Sequence, residues 1–266
     1  MLTDITLGQY FPGNSVLHSL DPRMKIIGTL IFIVSVFFAA SPLSYVLVAA
    51  FIILSYGLSK LPLSCMYKSL RPLWAIILFT KAVHVFTTPG EPLWQYGFIK
   101  ITGAGIYQGV FMTLRLAYLI VFSALLTYTT SPIALTDGIE RLLNPFKRFG
   151  VPAHELAMMM TIAMRFIPTL LEETDRIIKA QTARGANFVS GNLWQRGKNM
   201  VPLLVPLFIS AFRRADELAT AMEARCYRGG EGRTRLHKLK YTWRDGAALV
   251  CVLLMTTVLA VMRWAL

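Results

Sequence analysis

The chain has little with which to do covalent or metal chemistry. Cysteine is scarce: Cys65, Cys226 and Cys251 are odd in number and far apart in 266 residues. They form no CxxC pair, so neither a disulfide framework nor a zinc site is supported. The four histidines, His18, His84, His154 and His237, are scattered, and no Ser/His/Asp grouping can be assembled from them. His154-Glu-Leu-Ala-Met158 begins like HExxH but has methionine where the second zinc ligand must stand. Gly229-Gly-Glu-Gly232 is glycine-rich without the GxxxxGK[ST] spacing, and no other stretch supplies it. Nucleotide binding through a P-loop is therefore excluded. The opening residues, MLTDITLGQYFPGNS, contain no apolar signal core, so no cleavable leader is expected.

What is abundant is apolar surface and positive charge. Hydrophobic residues make up 55% of the chain and the mean hydropathy is +0.54, which points to a bilayer as solvent. The 27 Lys and Arg outweigh 14 Asp and Glu to give +13. In a membrane protein, anionic headgroups and the positive-inside bias account for that excess without nucleic acid. Asp21 can cap a helix with Pro22 at its first position. From there a first span is predicted over Met24 to about Ala40, and a second over Leu43 to about Leu58 after the Ser41-Pro42 turn. A third is expected over Pro72 to about Phe86, beyond a loop holding Lys60, Lys68 and Arg71. Thr87–Gly105 reads as a loop with a short interfacial piece around Trp94–Tyr96. Ile106 to about Thr129 and Gly246 to about Trp264 complete five spans.

Between Ser131 and Arg244 the character changes. Seventeen Lys/Arg and ten Asp/Glu fall in residues 132–243, mixed with apolar residues at helical spacing. That pattern predicts amphipathic helices over about Pro132–Lys147, Pro152–Arg184 and Asn192–Arg225, with Pro168, Pro202 and Pro206 inside the last two. If this region is cytoplasmic, every basic cluster falls on one side, with the N-terminus inside and the C-terminus outside.

Within this region one short pattern appears twice, 41 residues apart. Asp175-Arg-Ile-Ile-Lys-Ala-Gln-Thr-Ala-Arg-Gly185 and Asp216-Glu-Leu-Ala-Thr-Ala-Met-Glu-Ala-Arg-Cys226 share Asp175/Asp216, Ala180/Ala221, Ala183/Ala224 and Arg184/Arg225. Ala180, Ala183 and Arg184 stand at i, i+3 and i+4, on one helical face, and the second copy repeats this. Two small side chains permit close approach, and the arginine stands near a helix end, where it also complements the dipole. Two matching devices suggest two matching receivers. Other candidates are Lys81, His84 and Arg115, charged or titratable groups within spans, where they serve either function or polar contact between helices. Met158, Met159, Met160 and Met164 cluster on one helix, as core packing or as an adaptable partner surface.

Ala183-Arg-Gly185 and Ala224-Arg-Cys226, together with Ser15-Val-Leu-His-Ser-Leu-Asp-Pro-Arg23 before the first span, resemble the transmembrane T component of energy-coupling factor (ECF) transporters, ABC-type importers of vitamins and trace metals. The likeness covers essentially the whole chain. It departs from the family's triplet at Cys226, which stands in the glycine position but is still small. The resemblance implies an all-α integral membrane protein with about five transmembrane helices and long cytoplasmic amphipathic coupling helices. It divides the chain into residues 1–131 (lead-in and four spans), 132–244 (coupling helices) and 245–266 (last span). It implies a cell-membrane, non-enzymatic coupling subunit for vitamin uptake. Two cytoplasmic ATP-binding cassette ATPases would dock on Ala183, Arg184, Gly185, Ala224, Arg225 and Cys226. One or more membrane S components would dock on the methionines. The chain itself would hold no cofactor, since ATP would be bound by the partner subunits. A dedicated metal or biotin system is the alternative within the family. Outside it stand a membrane enzyme using His154, Glu155 and Arg165, and a self-sufficient carrier using Lys81, His84 and Arg115.

Overall fold

The computed structural model describes residues 10–89, 92–96, 99–186, 193–229 and 239–265. Almost all of them are helical, and the chain falls into two compact units. One comprises residues 8–138 and 238–266, the other residues 1–7 and 139–237.

In the first unit, α1 runs Pro22–Val36, α2 Pro42–Ser59, α3 Leu63–Leu70, α4 Trp74–Thr87, α5 Gly103–Thr129, and the last helix, α9, Trp243–Ala265. Among the described residues, four helical stretches are long and apolar enough to cross a membrane: Pro42–Ser59, Leu63–Thr87, Gly103–Thr129 and Trp243–Trp264. α1, fifteen residues of apolar sequence, is the short fifth. Asp21 caps α1 as expected, accepting a hydrogen bond from the Arg23 N–H, with Pro22 behind it.

The third span begins earlier than the sequence suggested. Lys68 lies in α3 and Arg71 opens a 3-10 turn into α4, so neither is in a loop. The helix absorbs them because Pro72 falls in the first turn after a break, where its missing N–H costs nothing. The expected loop after α4 is a two-stranded antiparallel hairpin, β1 Pro92–Tyr96 with β2 Ile99–Thr102, bulged between Pro92 and Trp94.

α1, α2, α5 and α9 surround a core in which Phe32 stacks on Phe122 with ring centroids 3.7 Å apart, and Val36, Val48, Leu125 and Leu259 fill the remainder. Tyrosine hydroxyls tie the helices through backbone carbonyls: Tyr56 donates to Val121 and Tyr118 to Tyr45, each at 3.2 Å. α4 packs on α5, where Gly105 and Gly109 permit the approach. A Cβ at Gly105 would lie 2.9 Å from the Val85 carbonyl oxygen.

Polar contacts close both ends of α1. At its start, Asp21 pairs bidentately with Arg23, and its N–H donates to Asp245 Oδ1 at 2.7 Å. Asp245, 1% exposed, also accepts from the N–H and hydroxyl of Thr242, so its carboxylate closes the start of α9. Lys25 Nζ donates to Thr129 O at 2.9 Å, and His18 bonds Ser15 and the Phe11 carbonyl. The Ser15–Arg23 stretch is therefore a clasp around the starts of α1 and α9 and the end of α5. At the other end of α1, Arg115 donates to Ala39 O and Arg263 to Phe37 O, each at 3.0 Å. Arg263 thus meets the cap carbonyl of α1, where the helix dipole is negative, while Arg115 holds the turn that follows. Arg115 is thus a contact between helices. Lys81, by contrast, is exposed on α4, and His84 is half-buried.

In the second unit the amphipathic helices fall close to their expected bounds. α6, Pro132–Leu143, leads in from the first unit and is followed by a 3-10 segment over Asn144–Phe149. α7 is Ala153–Ala183 with Pro168 inside it, and α8 is Leu193–Ala224 with Pro202 and Pro206 inside it. The basic stretch 230–238, including His237, lies outside the described residues.

Candidate functional site: two arginine-bearing helix ends

Both copies of the repeated pattern end a helix in the same way. At the end of α7, Arg184 is the cap residue and Gly185 takes a left-handed backbone with φ +87°. The Gly185 N–H donates to Thr182 O at 3.0 Å, and the Ala186 N–H reaches back to Gln181 O at 2.9 Å. At the end of α8, Cys226 has φ +54°, its N–H donates to Glu223 O at 2.9 Å, and the Tyr227 N–H donates to Met222 O at 3.1 Å. These are two copies of the Schellman cap, which satisfies terminal carbonyls by one left-handed residue. The third position of each triplet is therefore set by backbone conformation. Cys226 is tolerated for more than its small size: it adopts a conformation that glycine reaches freely and that costs an L-residue about 1–2 kcal/mol.

The triplets are open to solvent throughout. Ala183, Arg184, Gly185, Ala224, Arg225 and Cys226 are all exposed, as are Ala180 and Ala221 one turn earlier. Each helix end thus presents a guanidinium beside two bare alanine methyls. A planar fork of donors on a close-approach surface suits a groove lined by carboxylates or carbonyls.

α7 and α8 meet upstream of these ends. Glu173 Oε2 and Arg214 Nη2 lie 2.6 Å apart, and the Ser210 hydroxyl also bonds Glu173. The Ser210 and Arg214 hydrogen bonds hold the Glu173 carboxyl below the usual glutamate range. From this junction a groove of about 370 Å³ runs along α7, past Arg176 and Ile177, to Ala180.

A second set of contacts holds the α8 end. The Tyr227 hydroxyl donates to Met158 Sδ at 2.9 Å and lies 3.4 Å from His154 Nε2, while His154 Nδ1 is 3.1 Å from Glu140. His154 thus sits between a carboxylate and a phenol, and among the described residues no group of His, Cys, Asp and Glu could hold a metal. The methionine cluster divides. Met158 is engaged by Tyr227 and Met164 is half-buried, while Met159 and Met160 are 55% and 40% exposed. A larger apolar face was missed in the sequence. Val201, Val205, Phe208 and Phe212 of α8 are each at least half exposed, and their spacing puts them in one stripe. The signal was present as an i, i+4, i+7, i+11 pattern, but the two prolines drew attention to bends instead.

Comparison with known proteins shows the family of the chain. The profile of a family described as CbiQ, cobalt transport protein, matches residues 13–236. The chain is 62% identical over 266 residues to the energy-coupling factor transporter transmembrane protein of Acidaminococcus fermentans, covering 100% of this chain and 99% of that protein. It is 54% identical over 260 residues to the protein of the same name from Clostridium kluyveri, covering 97% and 96%, and 48% identical over 264 residues to that of Bacillus subtilis, covering 99% and 100%. The chain belongs to this family of energy-coupling factor transporter transmembrane components. The family's named role is that of a membrane subunit of a transporter, not of an enzyme, which sets aside the reading of His154, Glu155 and Arg165 as a catalytic group. The apolar helices agree with a membrane-embedded protein.

Proposed function

We propose that this chain is the coupling subunit that transmits ATP-driven motion from two cytoplasmic ATPases to a substrate-binding S component during vitamin uptake. The observation that carries this reading is the duplication of one exposed device. Arg184 and Arg225 each stand at the cap of a long helix, beside bare alanines, in the same backbone geometry. Two equal ends suit two equal receivers, and a chain without a P-loop must take its ATP work from other subunits. In this reading the chain binds no cofactor itself. Residues 132–244 lie on the cytoplasmic side, with the N-terminus inside and the C-terminus outside, as the positive-inside rule favours.

The S component sits on the apolar stripe of α8 together with Met159 and Met160. Both present adaptable hydrophobic area that the chain itself leaves uncovered. A second reading, a dedicated metal importer, is favoured by the family's description as a cobalt transport protein. The partner S component distinguishes the two: co-purification with several kinds supports a shared vitamin module, and with one metal-specific kind a dedicated importer.

The test is charge reversal in the assembled transporter. Arg184→Glu and Arg225→Glu are each expected to reduce recovery of the ATPases with the membrane subunit and to uncouple ATP hydrolysis from uptake. The double variant should abolish both. Normal assembly and uptake in the double variant would overturn the proposal.

A further inference from the structure

A large cavity lies wholly within the unit of residues 8–138 and 238–266. It is an open groove of about 870 Å³ between α1, α2, α5 and α9. Its walls are almost entirely apolar, with Phe51, Phe122 and Met255 among them. Gly28 gives it depth: a Cβ built there meets nothing within 4 Å.

The groove is polar at one end only. Lys25, Trp243 and Arg244 line it there, at the joint where the Asp21 N–H meets Asp245. The deeper wall follows α9 from Trp243 through Cys251 to Val258. Those sixteen residues rise about 24 Å, more than half of a hydrocarbon core of about 30 Å. The charges at the mouth do not cancel. Asp21 is paired by Arg23, and Lys25 balances Asp245 while its ammonium is spent on Thr129 O, Thr130 Oγ1 and His18 O. Arg244, exposed, is the surplus positive charge, and Trp243 beside it is 86% exposed, as an interfacial aromatic is.

We propose that this groove is a binding site for an anionic phospholipid, with an acyl chain along α9 between α1, α2 and α5 and its phosphate at Arg244. An apolar channel of one leaflet's depth, set among membrane-spanning helices and closed by a cation and an indole, matches an amphiphile with a long chain and a negative head. A soluble metabolite would not enter from the bilayer. The proposal stands independently of what docks on α7 and α8.

The experiment uses the full chain in nanodiscs of equal phosphatidylglycerol and phosphatidylcholine, with retained lipids read by native mass spectrometry. The wild type is expected to keep at least one phospholipid, phosphatidylglycerol over phosphatidylcholine by about fivefold, the worth of one basic residue at a membrane surface. Gly28→Leu fills the groove and should lose that lipid, and Arg244→Gln should keep a lipid but lose the preference. No retained lipid, no headgroup preference in the wild type, or unchanged retention in folded Gly28→Leu would each overturn the proposal. A second measurement does not depend on that variant folding. With Cys226→Gly removing the other exposed thiol, a fluorophore on Cys251 should be quenched several-fold more by chain-brominated phosphatidylglycerol than by chain-brominated phosphatidylcholine. Equal quenching by the two would mean ordinary surrounding lipid and would overturn the site.

Discussion

Glu173 of α7 and Arg214 of α8, 2.6 Å apart, stand at equivalent positions, each two residues before its copy of the repeat and 41 residues from the other. The two helices therefore meet at equivalent points, and each arginine end lies eleven residues beyond the junction (173 to 184, 214 to 225). At 1.5 Å per residue, both ends stand about 16 Å from the place where the helices touch. The duplication that the sequence showed as two similar segments is thus also a duplication of lever length.

The junction gives the first prediction. Both side chains are partly exposed, 34% for Arg214 and 27% for Glu173, so the pair contributes at most about 1 kcal/mol to holding α7 against α8. A double-mutant cycle with Glu173→Gln and Arg214→Gln, read by thermal unfolding, should show coupling of that order. Because Glu173 is depressed in the folded chain, its contribution is fully present above the unfolded glutamate value of about 4.3 and is lost as pH falls through the lower folded value. Wild type and Glu173→Gln should therefore converge in stability on acidification. A difference that persists at pH 2 would contradict this.

The left-handed caps give a second. Cys226→Gly should raise stability by about 1 kcal/mol, since the strain of φ +54° disappears. Gly185→Ala should lower it by a similar amount. A Cβ at Gly185 meets nothing within 4 Å, so the cost is one of backbone conformation alone. Equal melting temperatures for all three proteins would show that the caps are unstrained.

Tyr227 gives a third. Its hydroxyl ties the α8 end to Met158 and His154, whereas the matching position after α7 is Ala186, which has no such reach. Tyr227→Phe should loosen the 222–229 segment and leave 181–186 unchanged. Hydrogen exchange is expected to show faster amide exchange at Cys226 and Tyr227 by about two- to tenfold, the worth of one modest hydrogen bond. Equal acceleration at both ends would refute the asymmetry.

Asp245 gives the fourth. Asp245→Ala strands the buried Asp21 N–H and the Thr242 N–H at once, a loss of about 2–6 kcal/mol at about 1–3 kcal/mol for each stranded group. Asp245→Asn keeps one acceptor and should recover part of it. Yield of folded protein after detergent extraction should fall in the order wild type, Asn, Ala.

The helices were legible because apolar runs and amphipathic periods extend over many residues, and α7 and α8 ended within a residue or two of their expected bounds. The arginine ends were legible for the same reason, as a repeated local pattern. Asp245 was overlooked because its role depends on a partner 224 residues away, although Thr242-x-x-Asp245 is a capping box in sequence. Glu173 and Arg214 lie just outside the repeated columns and carry opposite charges, so identity matching passed over them. Cys226 was read by size because a sequence shows side chains directly and φ only through glycine.

The arginines that close the far end of α1 carry a further consequence. α1 has fifteen residues, about 22 Å of helix against about 30 Å of hydrocarbon. Arg263 holds its cap carbonyl at Phe37 and Arg115 holds Ala39 in the turn beyond, so the helix cannot lengthen to meet the bilayer. The bilayer must yield instead, and a shallow dimple should form over the α1–α2 turn, with headgroups and water drawn down to the two guanidiniums.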